Sequence, residues 1–167
     1  DSIFRTVKDN PQHTFIFLTK QPQNLTKWSP FPDNCHIGVS VVDGNYLQPA
    51  IQGLCEIEAK TKFLSCEPLL GRIPLNGLAH HLQWCILGSQ TQPMRHPPRA
   101  WVDEIISACD KAKIPVFVKE PLASHYNICP NCSYINNYAV MPSPKFEAIR
   151  PCLKCEAIIK FECEEEK

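Results

Sequence analysis

Lys62-Phe-Leu-Ser-Cys66, followed directly by Glu67-Pro68, is the stretch on which the fold turns. It is a short run rich in β formers, bounded by a charge and a proline, and it has the length of a strand rather than a helix. A run that is apolar along its length, instead of alternating, belongs to a strand covered on both faces, as in a parallel sheet. Pro68 holds Glu67 extended, so the chain leaves the strand without curling into a helix.

The same pattern recurs on both sides. Upstream, Leu47, Ala50, Ile51, Leu54 and Glu58 trace a helix with one apolar face, and Cys35-His-Ile-Gly-Val-Ser-Val41 is another strand. Pro30, Pro32 and Asp33 form a loop before it. Pro22 to Trp28 has room for one or two helical turns, with Pro22 early, where its missing N–H costs little. Thr14-Phe-Ile-Phe-Leu-Thr19 is the first strand, and Ile3, Phe4 and Val7 give an opening helix that ends at Asn10-Pro11. Downstream, Gln83-Trp-Cys-Ile-Leu-Gly88 is the fourth strand. Pro97-Pro98 opens a helix carried by Val102, Ile105, Ile106, Cys109 and Ala112, with Asp103 and Glu104 in the early turns that the helix dipole favours for acids. Ile114-Pro115 ends it, and Val116-Phe-Val-Lys119 is the fifth strand.

This alternation predicts an α/β fold for residues 1–121. Five strands are too few to close a barrel of eight. The expectation is therefore a partial (β/α) barrel of about five parallel strands, its opening helix arriving with no strand before it. The alternative is an open doubly wound sheet.

After Pro121 the rhythm stops. Residues 122–167 form the second region, in which Tyr126 to Glu166 alternates short β-like pieces with turn residues and closes on an acidic tail, Glu164-Glu-Glu166. Cys129-Pro-Asn-Cys132 and Cys152-Leu-Lys-Cys155 are separated by 19 residues, a four-cysteine zinc spacing. Two residues between ligands let one tight turn aim both sulfurs at an ion about 2.3 Å away, and two such turns complete a tetrahedron. The region is expected to be a zinc ribbon. Four thiolates leave no open position for water, so the zinc would be structural and would supply much of the ribbon's folding free energy. Iron is the alternative ion for the same cage.

Composition narrows the function classes. Lys plus Arg equals Asp plus Glu at 17 each, and the balance holds in both parts of the chain. A nucleic-acid binder normally carries a basic excess for phosphate contacts, and net charge gives that class no support. No apolar run reaches the roughly 18 residues of a membrane span. The chain begins without a signal-like segment and without Met, so it is expected to be an excised domain or a partial reading frame. Ten cysteines, four in metal-type pairs and others among apolar residues, fit reduced core thiols better than disulfides, which indicates the cytoplasm.

Ligands of parallel α/β folds sit at the carboxyl ends of the strands. There this chain places Thr19-Lys20, Ser40 and Asp43, Ser65-Cys66-Glu67, Gly88-Ser89-Gln90, and Lys119-Glu120. Lys20, Glu67 and Lys119 are the candidate catalytic residues. Ser40, Asp43, Ser65, Gln90 and Glu120 are the candidate substrate-binding residues. Such a ring can hold a polar or anionic substrate or move protons. Against this stands the plain fact that strands commonly stop at polar residues. Glu67 and Lys119 stand out, because a charge directly after an apolar strand is costly unless paired or used. His80-His81 has the character of a surface-loop pair, and His13, His36, His96 and His125 are scattered. Cys66 is expected to be a core thiol. No phosphate-binding loop or dinucleotide fingerprint is present.

Three strings, Pro11-Gln-His-Thr-Phe-Ile-Phe-Leu-Thr-Lys-Gln-Pro22, His36-Ile-Gly-Val-Ser-Val41 and Phe63-Leu-Ser-Cys-Glu-Pro-Leu-Leu-Gly71, together resemble the phage Gp37/Gp68 family, itself a domain of unknown function. The resemblance covers about residues 1–121. It implies a (β/α) barrel related to radical S-adenosylmethionine enzymes, with Lys20, Ser40, Glu67 and Lys119 facing the crevice. It also implies a three-cysteine motif near the N-terminus that holds a [4Fe–4S] cluster. No such spacing occurs here, and Gly88-Ser-Gln-Thr91 stands where relatives tend to carry Gly-Gly-Glu-Ser. The resemblance thus implies the C-terminal, substrate-side part of a longer enzyme, with S-adenosylmethionine and the cluster bound only together with an upstream segment. The alternative is a non-catalytic module in which the zinc ribbon binds nucleic acid or protein on an α/β scaffold, with Tyr134 and Tyr138 available to stack on bases. A ribbon that simply caps the sheet is a third arrangement.

Overall fold

The computed structural model describes residues 2–126, 128, 148–151 and 158–161. Cys129, Cys132, Cys152 and Cys155, with Tyr134 and Tyr138, lie outside them.

The chain opens with α1 (Ser2–Asp9) and β1 (Phe15–Thr19), then a 3-10 helix over Pro22–Trp28. β2 (Cys35–Ser40), α2 (Leu47–Cys55), β3 (Thr61–Cys66) and β4 (Trp84–Leu87) follow. A small hairpin, β5 (Gln90–Thr91) and β6 (Met94–Arg95), leads to α3 (Arg99–Ala112), β7 (Val116–Val118) and α4 (Leu122–His125). Lys113, at φ 59°, closes α3 in the left-handed conformation. Farther on, β8 (Ala148–Pro151) pairs antiparallel with β9 (Ile158–Phe161).

β1, β2, β3, β4 and β7 form one five-stranded sheet in that order, every pair parallel. The protein is α/β, as the alternation of runs predicts. The strands follow one another across the sheet without the reversal that marks a doubly wound fold. Right-handed crossovers in one direction place every crossover helix on the same face.

Burial agrees with that geometry. Cys35, Ile37, Val39, Leu64, Cys66, Cys85, Leu87 and Val118 alternate onto one side of the sheet. They share a core cluster with Val7 of α1, Leu47, Ala50, Ile51 and Leu54 of α2, and Val102, Ile105 and Cys109 of α3. Phe4 of α1 lies about 6 Å, ring to ring, from Phe17, Trp28 and Phe31, which seats that helix beside β1. Asn34 donates its side-chain N–H to the Val7, Asn10 and His13 carbonyls at 3.1–3.4 Å, closing the turn from α1 into β1. Packing continues past residue 121, since Leu122, Ala123 and Ile128 belong to the same cluster.

The opposite face differs. Ile16 and Leu18 of β1 are 59% and 53% exposed, and Phe117 of β7 is 51% exposed. Between them the Phe63 ring lies flat across Gly38 of the neighbouring strand, where a Cβ would come within 2.2 Å of it. Trp84 covers Phe63 at 4.4 Å, and His36 meets Trp84 edge-on. Phe63 is fully buried, yet it stands apart from the main core. Among the described residues this second face carries no helix layer.

Among the described residues no helix is long and apolar enough to cross a membrane.

Candidate functional site

Alternation continues past the strand ends. Ser65 lies beside Ser40 in the β2–β3 register, and Ile86 and Phe117 continue that row across β4 and β7. Glu67 stands two residues beyond Ser65, and Lys119 two beyond Phe117. The period of two aims both toward the side that lacks helices. There they meet: Lys119 Nζ donates to Glu67 Oε1 at 2.5 Å. The intervening residue at the tip of β4 is Gly88, whose missing side chain makes room. A Cβ there would lie 2.9 Å from Glu67 Cγ. The Glu67–Pro68 and Glu120–Pro121 peptides are both cis.

The remaining candidates are distributed as follows. Ser65 is 2% exposed and Ser40 half-buried, both on the row below the ion pair. Lys20 is exposed just beyond Thr19, whose hydroxyl accepts from the Gln21 N–H at 3.0 Å. Asp43 caps a short 3-10 turn by accepting from the Asn45 N–H at 2.8 Å. Glu120 accepts from the Ser124 N–H and hydroxyl at 3.2 and 2.7 Å, which caps α4. Gln90 opens the hairpin and donates to the Gln92 carbonyl at 3.2 Å. The structure therefore brings Glu67 and Lys119 together over the Ser40–Ser65 row, and gives Asp43, Gln90 and Glu120 local work in turns.

One cluster escaped the sequence. Ser89 Oγ lies 2.8 Å from His96 Nδ1. The His96 ring stacks on His125 at 3.8 Å with 9° between planes, and His125 meets Tyr126 edge-on. Tyr126 donates its hydroxyl to the Pro97 carbonyl at 2.6 Å, and the Arg99 guanidinium stands 5.9 Å from the Tyr126 ring centre. Burial raises the Tyr126 hydroxyl's pKa. Nothing in the spacing of residues 89, 96 and 125 links them, because a hairpin and a whole α/β unit intervene.

The described cysteines do not form a site. Cys35, Cys66, Cys85 and Cys109 are buried in the helix–sheet layer, and Cys55 is exposed. The hydrogen bond with Cys109 alone would lower the Cys85 thiol's pKa, but contact with Cys66 and burial outweigh it and push the thiol well up. Cys109 is raised by its contact with Cys85 and by burial, and Cys35 by burial. Buried thiols held protonated are poor metal ligands and poor nucleophiles. Among the described residues no three Cys, His or acidic side chains are grouped to hold a metal ion. These residues do not fit an iron–sulfur cluster.

The sequence profile of a family described as protein of unknown function (DUF5131) matches residues 1–126. The chain belongs to that family. The match spans the whole parallel sheet and runs through α4, so the Glu67–Lys119 pair and the Ser89–His96–His125 cluster lie within the family region. Comparison with curated proteins and with solved structures returned no match.

Proposed function

We propose that the chain is the substrate-side part of a (β/α)-barrel enzyme related to the radical S-adenosylmethionine class, as its likeness to the phage Gp37/Gp68 family implies. The Glu67–Lys119 pair carries this reading. It joins two strand ends across a third, on the side of the sheet without helices, where a barrel would have its mouth. The unreversed strand order and the uncovered apolar face support a partial barrel whose inner wall is the Ile16–Leu18–Trp84–Phe117 surface. An upstream segment of the same protein would complete the wall and supply the cluster and its S-adenosylmethionine. The free buried thiols are in keeping with a reducing, cytoplasmic setting. In the mouth, Lys119 would hold an anionic group of the substrate and Glu67 a hydrogen-bond donor or a proton, with the Ser40 and Ser65 hydroxyls beneath. The test is anaerobic expression of the whole natural reading frame and assay of reductive S-adenosylmethionine cleavage. Cleavage, with turnover of a substrate lost in Glu67→Gln and Lys119→Met, is expected. A frame that neither binds nor cleaves S-adenosylmethionine overturns the proposal.

A second observation favours an appended metal module. β8 and β9 bracket Cys152-Leu-Lys-Cys155 in sequence and pair antiparallel, with Pro151 opposite Ile158. A Cys-x-x-Cys sequence that falls between two paired strands suits a zinc ribbon. Cys129, Cys132, Cys152 and Cys155 would hold structural zinc. Such a ribbon could serve as a docking module for protein or nucleic acid.

A further inference from the structure

We infer that His96 is a positioning residue for Lys119, acting through a clasp that fastens the Gln90–Arg95 hairpin to the β7–α4 turn. The hairpin rises directly from the carboxyl end of β4, two residues beyond the Gly88 that makes room for Glu67. Its two ends, Ser89 and His96, are drawn together by the Oγ–Nδ1 contact of 2.8 Å. Ser89 is only 5% exposed, so water competes poorly for that bond.

From the foot of the hairpin three contacts cross to the end of α4. They are the His96–His125 stack, the Tyr126 hydroxyl on the Pro97 carbonyl, and Arg99 against the Tyr126 ring. α4 has four residues and starts three beyond Lys119. Its Ala123 N–H donates to the Lys119 carbonyl at 3.1 Å, while the Lys119 N–H donates to the Leu87 carbonyl at 2.9 Å. Lys119 is thus held between β4 and a one-turn helix whose far end is clamped to the hairpin. A helix that short has little stability of its own and takes its position from what it is packed against. The clasp therefore sets where the Lys119 backbone sits, and with it the reach of Nζ to Glu67. Motion of the hairpin and of the lysine are coupled, so a ligand engaging either one biases the other.

This inference rests on the geometry of the clasp. It stands or falls separately from the proposed chemistry. The test uses the full chain with its lysines reductively ¹³C-methylated, following the Lys119 dimethylammonium signal by NMR, alongside amide hydrogen exchange. Glu67→Gln supplies the signal of an unpaired Lys119. In His96→Ala the Lys119 signal is expected to move toward that of Glu67→Gln. Exchange at Gln90, Arg95, Lys119 and Ala123 should rise together, by about tenfold or more, with β1 to β3 unchanged. His96→Phe keeps a ring to stack on His125 while losing the Ser89 bond, and should restore Lys119 but not the hairpin ends. Ser89→Ala removes the same bond by a smaller change and should likewise loosen the hairpin ends while leaving Lys119 in place. Should His96→Ala fail to fold, His96→Leu, which loses both the stack and the bond, is read in its place. In His96→Ala, or in His96→Leu read in its place, a loosened hairpin with the Lys119 signal unmoved overturns the inference.

Discussion

Glu67 and Lys119 keep 33% and 44% of their side-chain surface in water, which decides how their contact is to be understood. An ion pair this open contributes about 1 kcal/mol or less to stability. Glu67→Gln and Lys119→Met should therefore each shift urea unfolding only slightly, and a double-mutant cycle should return a coupling of no more than about 1 kcal/mol. A loss of several kcal/mol would mark the pair as a structural support instead of a site. The thiols give a second residue-scale expectation. With Cys35, Cys66, Cys85 and Cys109 buried, and three of them held protonated, a thiol reagent at pH 8 should label Cys55 first among these five. Peptide mapping after brief exposure checks it. Prominent early labelling of Cys85 would contradict the placement of that thiol in the core. Glu67 and Lys119 were legible in the sequence because a bare charge after an apolar run needs a partner. Ser89, His96 and His125 were not, because their meeting depends on a hairpin that no run of β formers announces.

At the scale of elements, two contacts control how neighbours pack. Gly38 lets the Phe63 ring cross from β3 onto β2, so Gly38→Ala forces that ring away and should destabilise by about 1–3 kcal/mol. Phe63→Leu in the same background should recover part of the loss, measured by denaturant unfolding. Arg72, in the loop after β3, donates to both Glu104 carboxylate oxygens at 2.8 and 2.9 Å, tying that loop to α3. The Arg72 hydrogen bond, with its charge, holds the Glu104 carboxyl below its ordinary pKa despite the opposing effect of burial. A carboxylate with a depressed folded pKa adds stability above its unfolded pKa and loses it as pH falls through the folded one. Glu104→Gln should thus narrow the stability difference between pH 7 and pH 3 and leave the variants closest at the acid end. The strands and α3 were legible within a residue or two, since buried runs and a 3.6 period declare themselves locally, whereas α2 stops at Cys55, three residues short of the Glu58 that the period reached. The β5–β6 hairpin was hidden in a short polar stretch around Gln92-Pro93, where two-residue strands leave no periodicity to detect.

At the scale of the molecule, the sequence predicts parallel strands and helices but leaves two architectures open, because strand order is a property of long-range pairing. The order β1-β2-β3-β4-β7 has no reversal, and α1, α2 and α3 all pack against one face. The other face presents Ile16, Leu18 and Phe117 to solvent, and the partial-barrel account takes this apolar surface as an inner wall. The C-terminal segment has its own whole-molecule expectation. Purified chain should carry about one zinc ion, and Cys132→Ser or a strong chelator should release it and weaken residues 122–167 while the parallel sheet persists. Elemental analysis with circular dichroism distinguishes this from a metal-free segment.

The partial-barrel account is tested most directly by an experimental structure of the protein expressed from its whole natural reading frame. The account predicts a further parallel strand hydrogen-bonded along the free edge of β1, with Ile16, Leu18 and Phe117 enclosed and the Glu67–Lys119 pair at the open end. A sheet that ends at β1, with those three side chains still facing water, would contradict it.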